Sequence, residues 1–289
     1  MSRSHAAGTA AALFYILLWA SAYVPSKIGV LDSSPLWFLV VRFAVSGLIA
    51  FAIARGLGGA LPRSPREWAA VIALGVLTNA IYLGMTYEAL RHLAAGVGAI
   101  VASTTPLVLA VVAPFALREP LTQLKTAGLL LGFGGVVWIM LARTGSGSAD
   151  AGDVLLAFGG VLGSVAGTIV FKRWCGDIDL RMTTALQLLS AGVALLPLAI
   201  LSEGAPHAIW TARLIVSYWY VVLVMSVGAS MLWFWLLTHG EASRVSAFYF
   251  LTPIFGLFLS FLLLHEPVGL RDIGGLAAIA LGIFLVQRA

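Results

Sequence analysis

The sequence predicts an all-α polytopic membrane protein, with ten transmembrane helices in two inverted-topology repeats of five. Three observations predict it. The 289 residues are 61% hydrophobic and only 10% charged, whereas soluble domains carry about 25% charged residues. The chain also divides into ten apolar stretches, near 8–27, 34–54, 68–88, 94–116, 123–142, 153–173, 182–202, 212–237, 243–264 and 270–287. Each is close to the roughly 20 residues that span a bilayer. Finally, one string occurs twice. Thr105-Pro106, an apolar helix, Glu119-Pro120 and a glycine-rich helix return 147 residues later as Thr252-Pro253, Glu266-Pro267 and a second glycine-rich helix. The repeat divides the chain into residues 1–146 and 147–289. Five is odd, so the second unit must enter the membrane in the opposite sense to the first.

The net charge of +5 does not indicate a nucleic-acid partner, because the basic residues are scattered through loops rather than gathered on one face. Their distribution instead orients the chain. With the N-terminus in the cytoplasm, eleven basic residues fall inside, among them Arg55, Arg63, Arg66, Lys172 and Arg173. Five fall outside: Lys27, Arg91, Arg143, Arg213 and Arg271. That bias puts both termini in the cytoplasm. The single cysteine, Cys175, excludes an intramolecular disulfide and any cysteine metal cluster.

The first span could pass for a signal peptide, with Ala20-Ser21-Ala22 as its cleavage site. It is read as uncleaved because it has an internal partner: Trp19, Tyr23 and Lys27 align with Ser164, Thr168 and Lys172 in span six. Tyr15, Trp19 and Tyr23 share one helical face, and Pro25 should loosen the outer end. Span two holds Arg42, a charge at a depth that costs several kcal/mol unless it is paired or wet. The simpler expectation for its guanidinium is bonding to backbone carbonyls of a neighbouring broken helix.

Span three carries Asn79, Tyr82 and Thr86 on one face, a polar stripe that must look into protein or water. Span four contains Ser103, and Pro106 there should free a carbonyl at mid-membrane; span nine repeats this with Tyr249 and Pro253. Interruptions at corresponding places in two halves mark a transporter's central site. The carboxylates of Glu119 and Glu266, each before a proline, are expected to cap the helix that follows. Spans five and ten have no polar stripe and read as peripheral.

No nucleotide-binding P-loop, serine-hydrolase elbow or zinc-protease motif is present. The sequence therefore predicts neither an enzyme nor a metal or other cofactor. A passive channel would need a continuous polar path, and the stripes found here are largely aromatic.

Taken over the whole chain, the proline-bearing fourth helix, the Glu-Pro corner and the glycine-rich fifth helix of each half, with Arg42-Phe43 in span two, resemble the drug/metabolite transporter superfamily. The likeness is to its ten-helix branch with an EamA domain in each half, and within it to bacterial aromatic amino-acid exporters. The resemblance implies an inner-membrane secondary transporter exporting aromatic and other neutral amino acids by alternating access. It also implies a cavity lined by spans one, three, four, six, eight and nine. The expected site is a midplane cavity of Trp19, Tyr23, Asn79, Tyr82, Ser103, Thr168 and Tyr249, with Arg42, Pro106, Glu119, Pro253 and Glu266 in structural or gating roles. The expected partners are the bilayer and an amino-acid substrate, in a monomer with a dimer left open. Export of another small metabolite or an amphipathic drug is the alternative.

Overall fold

The computed structural model describes residues 3–93, 98, 101–143, 150–252, 255 and 270–289. Its regular structure is helical apart from one antiparallel bridge between Ser33 and Ala208. In chain order, α1 is Arg3–Ser21, α2 Tyr23–Asp32, α3 Pro35–Gly56, α4 Pro65–Ala89 and α5 Thr105–Ala116. They are followed by α6 Gln123–Arg143, α7 Ala151–Cys175, α8 Leu180–Glu203, α9 Ala212–His239, α10 Ala242–Ala247 and α11 Leu270–Arg288. Six described stretches are long and apolar enough to cross a membrane: Gly8–Asp32, α3, α4, α7, α8 and α9. With so little charge in the chain, this makes a multi-pass membrane protein.

Short polar residues start the helices. Ser64 accepts the Glu67 N–H at the head of α4, Thr122 the Lys125 N–H at α6, and Thr211 the Leu214 N–H at α9. Asp179 accepts from both Arg181 and Met182 at α8, each at 3.0 Å. Burial pushes this carboxyl up, but the hydrogen bonds and charge of Arg181 outweigh it and hold it below the ordinary aspartate range.

Two helix pairs run through the bundle. α3 packs along α8, and α6 along α11. The second contact depends on glycine: a Cβ on Gly128 would lie 2.6 Å from the Gly282 carbonyl oxygen, and one on Gly282 2.6 Å from that of Gly128. Backbones this close leave no room for a side chain. The glycines of spans five and ten therefore bring α6 and α11 against each other.

The repeat shows in matching contacts. Lys27 Nζ donates to the Leu90 carbonyl just past α4 (2.9 Å), and Lys172 Nζ to the Leu237 and Gly240 carbonyls at the end of α9 (2.9 and 2.8 Å). Lys27 aligns with Lys172 and Leu90 with Leu237, so equivalent lysines hold equivalent helix C-termini, a favourable place for a cation.

α4 and α9 also share a distortion. Val76–Ile81 in α4 and Tyr220–Ala229 in α9 wind as π-helix. The turns fall at corresponding places in the two halves, and π-turns gather at functional sites. Nothing in these segments signals it, since neither contains a proline.

The first Glu-Pro corner differs from expectation. Glu119 does not cap the helix that follows, where Thr122 has that role. Its Oε1 accepts the Ala242 N–H (2.7 Å) and its Oε2 the Ser243 N–H (3.1 Å), so it caps α10 in the other half. Arg118, at φ 57°, turns the chain at this corner. Lys125, also buried, donates to Glu241 at 2.9 Å. Corner and α10 are thereby latched together. Glu266 and Pro253 lie outside the described residues.

Candidate functional site: a divided aromatic cavity

α1, α4, α9 and the turn after α10 bring five aromatic side chains together at the bundle centre. Trp19 stacks on Tyr82, with ring centroids 6.2 Å apart and planes 10° apart. Tyr15 stacks on Trp233 at 5.1 Å. Tyr249 meets Trp19 and Trp233 edge-on at 5.7 and 5.3 Å, and its hydroxyl hydrogen-bonds that of Tyr15 at 2.7 Å. Tyr15, Trp19, Tyr82, Trp233 and Tyr249 surround a chamber of ≈ 60 Å³. That is room for only a few waters, far below the roughly 300–1,000 Å³ of a ligand pocket. The rings must part before a solute can enter.

The polar wall of this chamber is an amide rung. Asn79 Nδ2 donates to Gln187 Oε1 and to Thr78 Oγ1, and Thr78 Oγ1 lies 3.3 Å from the same Gln187 oxygen. Gln187, on α8, is 1% exposed. Glycine lets it approach, because any side chain at Gly75 would run into the Gln187 carbonyl. The π-turn of α4 carries Thr78 and Asn79, which places them on the chamber wall.

A second chamber, also ≈ 60 Å³, lies beyond the Trp19–Tyr82 stack. Trp19, Tyr82, Leu83, Met225 and Arg42 border both. The rest of its wall is mostly apolar, with Ala22, Leu90 and Ala102 among its residues. Wider vestibules open at the two ends of the bundle. One, of ≈ 580 Å³, includes Gly8, Ala12, His239, Arg244, Phe248 and Gln287, so both ends of the chain meet there. The other, of ≈ 490 Å³, includes Asp32, Arg91, Glu203 and His207. Tyr15 and Tyr249 lie next to Ala12 and Phe248 along their helices, so their hydroxyl pair stands between the first vestibule and the chamber.

Of the residues expected at the site, Trp19, Asn79, Tyr82 and Tyr249 line the first chamber. Thr168 does not: its hydroxyl turns back onto the Ser164 carbonyl of its own helix, at 3.0 Å, and Ser164 borders the cavity instead. Ser103 is buried in the turn before α5, away from the chamber walls. The side chain of Tyr23 lies outside the described residues.

Pro106 sits in the first turn of α5, directly after an interruption: Val101 and Ala102 are helical, and Ser103 and Thr104 form a turn. The carbonyl its missing N–H would have bonded, that of Ala102, accepts the Thr105 hydroxyl at 2.7 Å. The threonine before the proline satisfies the oxygen the proline orphans, so that group already has a partner and is not waiting for a ligand. Arg42 also departs from expectation. Its Nε donates to Ser226 Oγ (2.8 Å) and its Nη1 to the Tyr87 hydroxyl (3.1 Å). It thus holds side-chain hydroxyls, one on the π-turn of α9, rather than backbone carbonyls.

Gln187, Tyr15 and Trp233 also line the first chamber and are not among the residues expected there. An amide in the middle of an apolar span was signal enough for Gln187. Tyr15 sits on the same face as Trp19, but it reads equally well as an interfacial tyrosine.

A cavity between the halves of a helical bundle, with a vestibule at each end, is the plan of a small-solute carrier. The protein belongs to the class of multi-pass membrane transporters. The EamA-like transporter family model matches the sequence twice, over residues 6–141 and 152–288. The chain belongs to that family, within the drug/metabolite transporter superfamily.

Of three relatives, two are named as transporters and one carries no activity in its name. The uncharacterized transporter YvbV of Bacillus subtilis (strain 168) is 30% identical over 280 residues, 95% of this chain and 89% of its own. The uncharacterized inner membrane transporter YedA of Escherichia coli (strain K12) is 26% identical over 279 residues, 95% of this chain and 87% of its own. Protein PecM of Dickeya dadantii (strain 3937) is 25% identical, over 93% and 89%. A solved crystal structure superimposes with a TM-score of 0.81 over 99% of this chain and 98% of that one, at 20% identity. That likeness shows the fold alone.

Proposed function

We propose that the protein exports amino acids, aromatic and other neutral ones, across a bacterial inner membrane by alternating access. The architecture behind this reading is ten spans in two inverted five-helix repeats, residues 1–146 and 147–289, with both termini cytoplasmic. The observation that carries it is the first chamber: stacked aromatic walls against one buried amide rung. Flat apolar faces accept many side chains without strict direction, while a few polar groups orient the solute, which favours broad and weak selectivity. The paired π-turns of α4 and α9 and the matching lysine caps support two equivalent halves that rock against each other. The inner-membrane name of one relative supports the location.

The test is uptake into proteoliposomes of a panel of amino acids, sugars and nucleobases, with and without a pH gradient. Phenylalanine-like solutes should be carried, and Trp19→Ala and Tyr82→Ala should each lower their transport by about tenfold at matched protein content, the loss of one aromatic contact of ~1.5 kcal/mol. Unchanged transport in both would place the path elsewhere. The apolar second chamber favours one other reading, export of an amphipathic drug or another small metabolite. Carriage of such compounds in preference to the amino acids would select it.

A further inference from the structure

We infer that Arg42 is the receptor for a carboxylate on the transported solute. The inference rests on the central cavity being the solute's path. Among the described residues Arg42 is the only charged side chain bordering either chamber, and it borders both. It is 6% exposed.

Its protein partners are neutral. Ser226 and Tyr87 accept one N–H each, and the Tyr87 hydroxyl in turn donates to Ser26 Oγ at 2.8 Å. A guanidinium has five N–H donors, so three, including both on Nη2, have no acceptor among the described residues. Three acidic groups of the bundle are engaged elsewhere. Asp32 is held in a two-pronged pair by Arg213 (2.6 and 2.7 Å), Glu88 pairs with Arg91 at 2.9 Å, and Glu119 caps α10.

A buried cation with no counter-ion costs several kcal/mol at membrane depth. A merely structural anchor between Ser226 and Tyr87 would not need that charge, since an amide could bridge two hydroxyls. What an amide could not offer is the planar cationic fork, which matches a carboxylate with two parallel hydrogen bonds. Ser226 holds Nε and Tyr87 one N–H of Nη1, and together they set the direction of the fork. One N–H of Nη1 and both of Nη2 remain, and the tip of the fork, with one N–H from each of these nitrogens, is left for a solute.

The surroundings fit the rest of such a molecule. Trp19 and Tyr82 border the same space, and their ring faces would take an aryl group or a cationic amine. The solutes selected are therefore carboxylates whose remainder is apolar or carries a cationic amine.

The experiment compares acids with their own amides on the native protein. Phenylalanine, phenylalaninamide, 3-phenylpropionate and 3-phenylpropionamide compete against labelled phenylalanine in proteoliposomes. Each acid should compete at a concentration about tenfold or more below its amide, the worth of a hydrogen-bonded charge. In Arg42→Gln the ratio should fall close to one, and Arg42→Lys should keep part of it. An acid-to-amide ratio near one in the native protein overturns the inference, and that measurement stands even where Arg42→Gln fails to fold. So does a native ratio surviving in Arg42→Gln.

If no amino acid is carried, the proposed function fails, and melting shifts decide about Arg42. Stabilisation of the native protein by 3-phenylpropionate and benzoate but not by their amides keeps the carboxylate site. Equal stabilisation by acids and amides, or by neither, removes it.

Discussion

At the scale of single residues, the interior is governed by polar atoms that must find partners in hydrocarbon. Gln187 accepts from Asn79 and from Thr78. Replacing it with leucine keeps the volume but leaves the amide of Asn79 with Thr78 alone, and an orphaned buried donor costs about 1–3 kcal/mol. Gln187→Leu should therefore lower the unfolding midpoint of the detergent-purified protein. Thr105 tests the same logic on the backbone. Thr105→Val removes the hydroxyl that satisfies the Ala102 carbonyl and should destabilise by about 1–3 kcal/mol, while Thr105→Ser should stay near the native value. Equal midpoints for the valine and serine variants would show that the carbonyl never depended on the hydroxyl.

At the scale of helices, the contacts between the halves carry the consequences. Glu119 anchors two N–H groups of α10 with a full charge at a helix N-terminus. Glu119→Ala should cost about 1–3 kcal/mol and speed amide exchange at Ala242 and Ser243, while folded protein still transports. Loss of transport in folded, normally expressed protein would assign the carboxylate to coupling instead.

Beside it, burial pushes the Glu241 carboxyl up, but the hydrogen bond and charge of Lys125, helped by Arg244, hold it below the ordinary glutamate range. A depressed folded value means the stabilisation is present above the unfolded pKa, about 4.3, and is lost as pH falls through the folded value. The gap in melting temperature between the native protein and Glu241→Gln should be full at neutral pH and close on acidification below pH 4. A gap that widens there would reverse the assignment. In the close contact of α6 with α11, Gly282→Val would drive the helices apart and cost about 1–3 kcal/mol by overpacking.

At the scale of the molecule, the proposed inverted repeat makes a topological prediction. A reporter fused at the C-terminus and one inserted near Gly147 should localise to opposite sides of the membrane. Finding both on one side would remove the inverted repeat and the alternating-access proposal with it. Gly8 and Gln287 border one vestibule, an arrangement in keeping with the proposed even number of crossings and the proposed cytoplasmic termini.

The sequence by itself determined the class. A chain this apolar, broken every 20-odd residues and written twice, has no soluble solution, and the polar and aromatic periodicity was enough to bring Trp19, Asn79, Tyr82 and Tyr249 to one chamber. Repeat alignment also paired Lys27 with Lys172 before their shared role was visible. Only the tertiary structure decided where polar groups on different helices met. Glu119 could cap the next helix or another, and the packing brought the head of α10 to its carboxylate. Thr168 could face the cavity or its own helix, and its hydroxyl bonds the Ser164 carbonyl. Arg42 could meet carbonyls or hydroxyls, and the π-turn of α9 presented Ser226. The physical reason is common to all three. Burial of apolar surface follows from local periodicity, which a sequence displays, whereas a hydrogen bond joins particular atoms over two or three ångströms, and its partner depends on how the helices are packed.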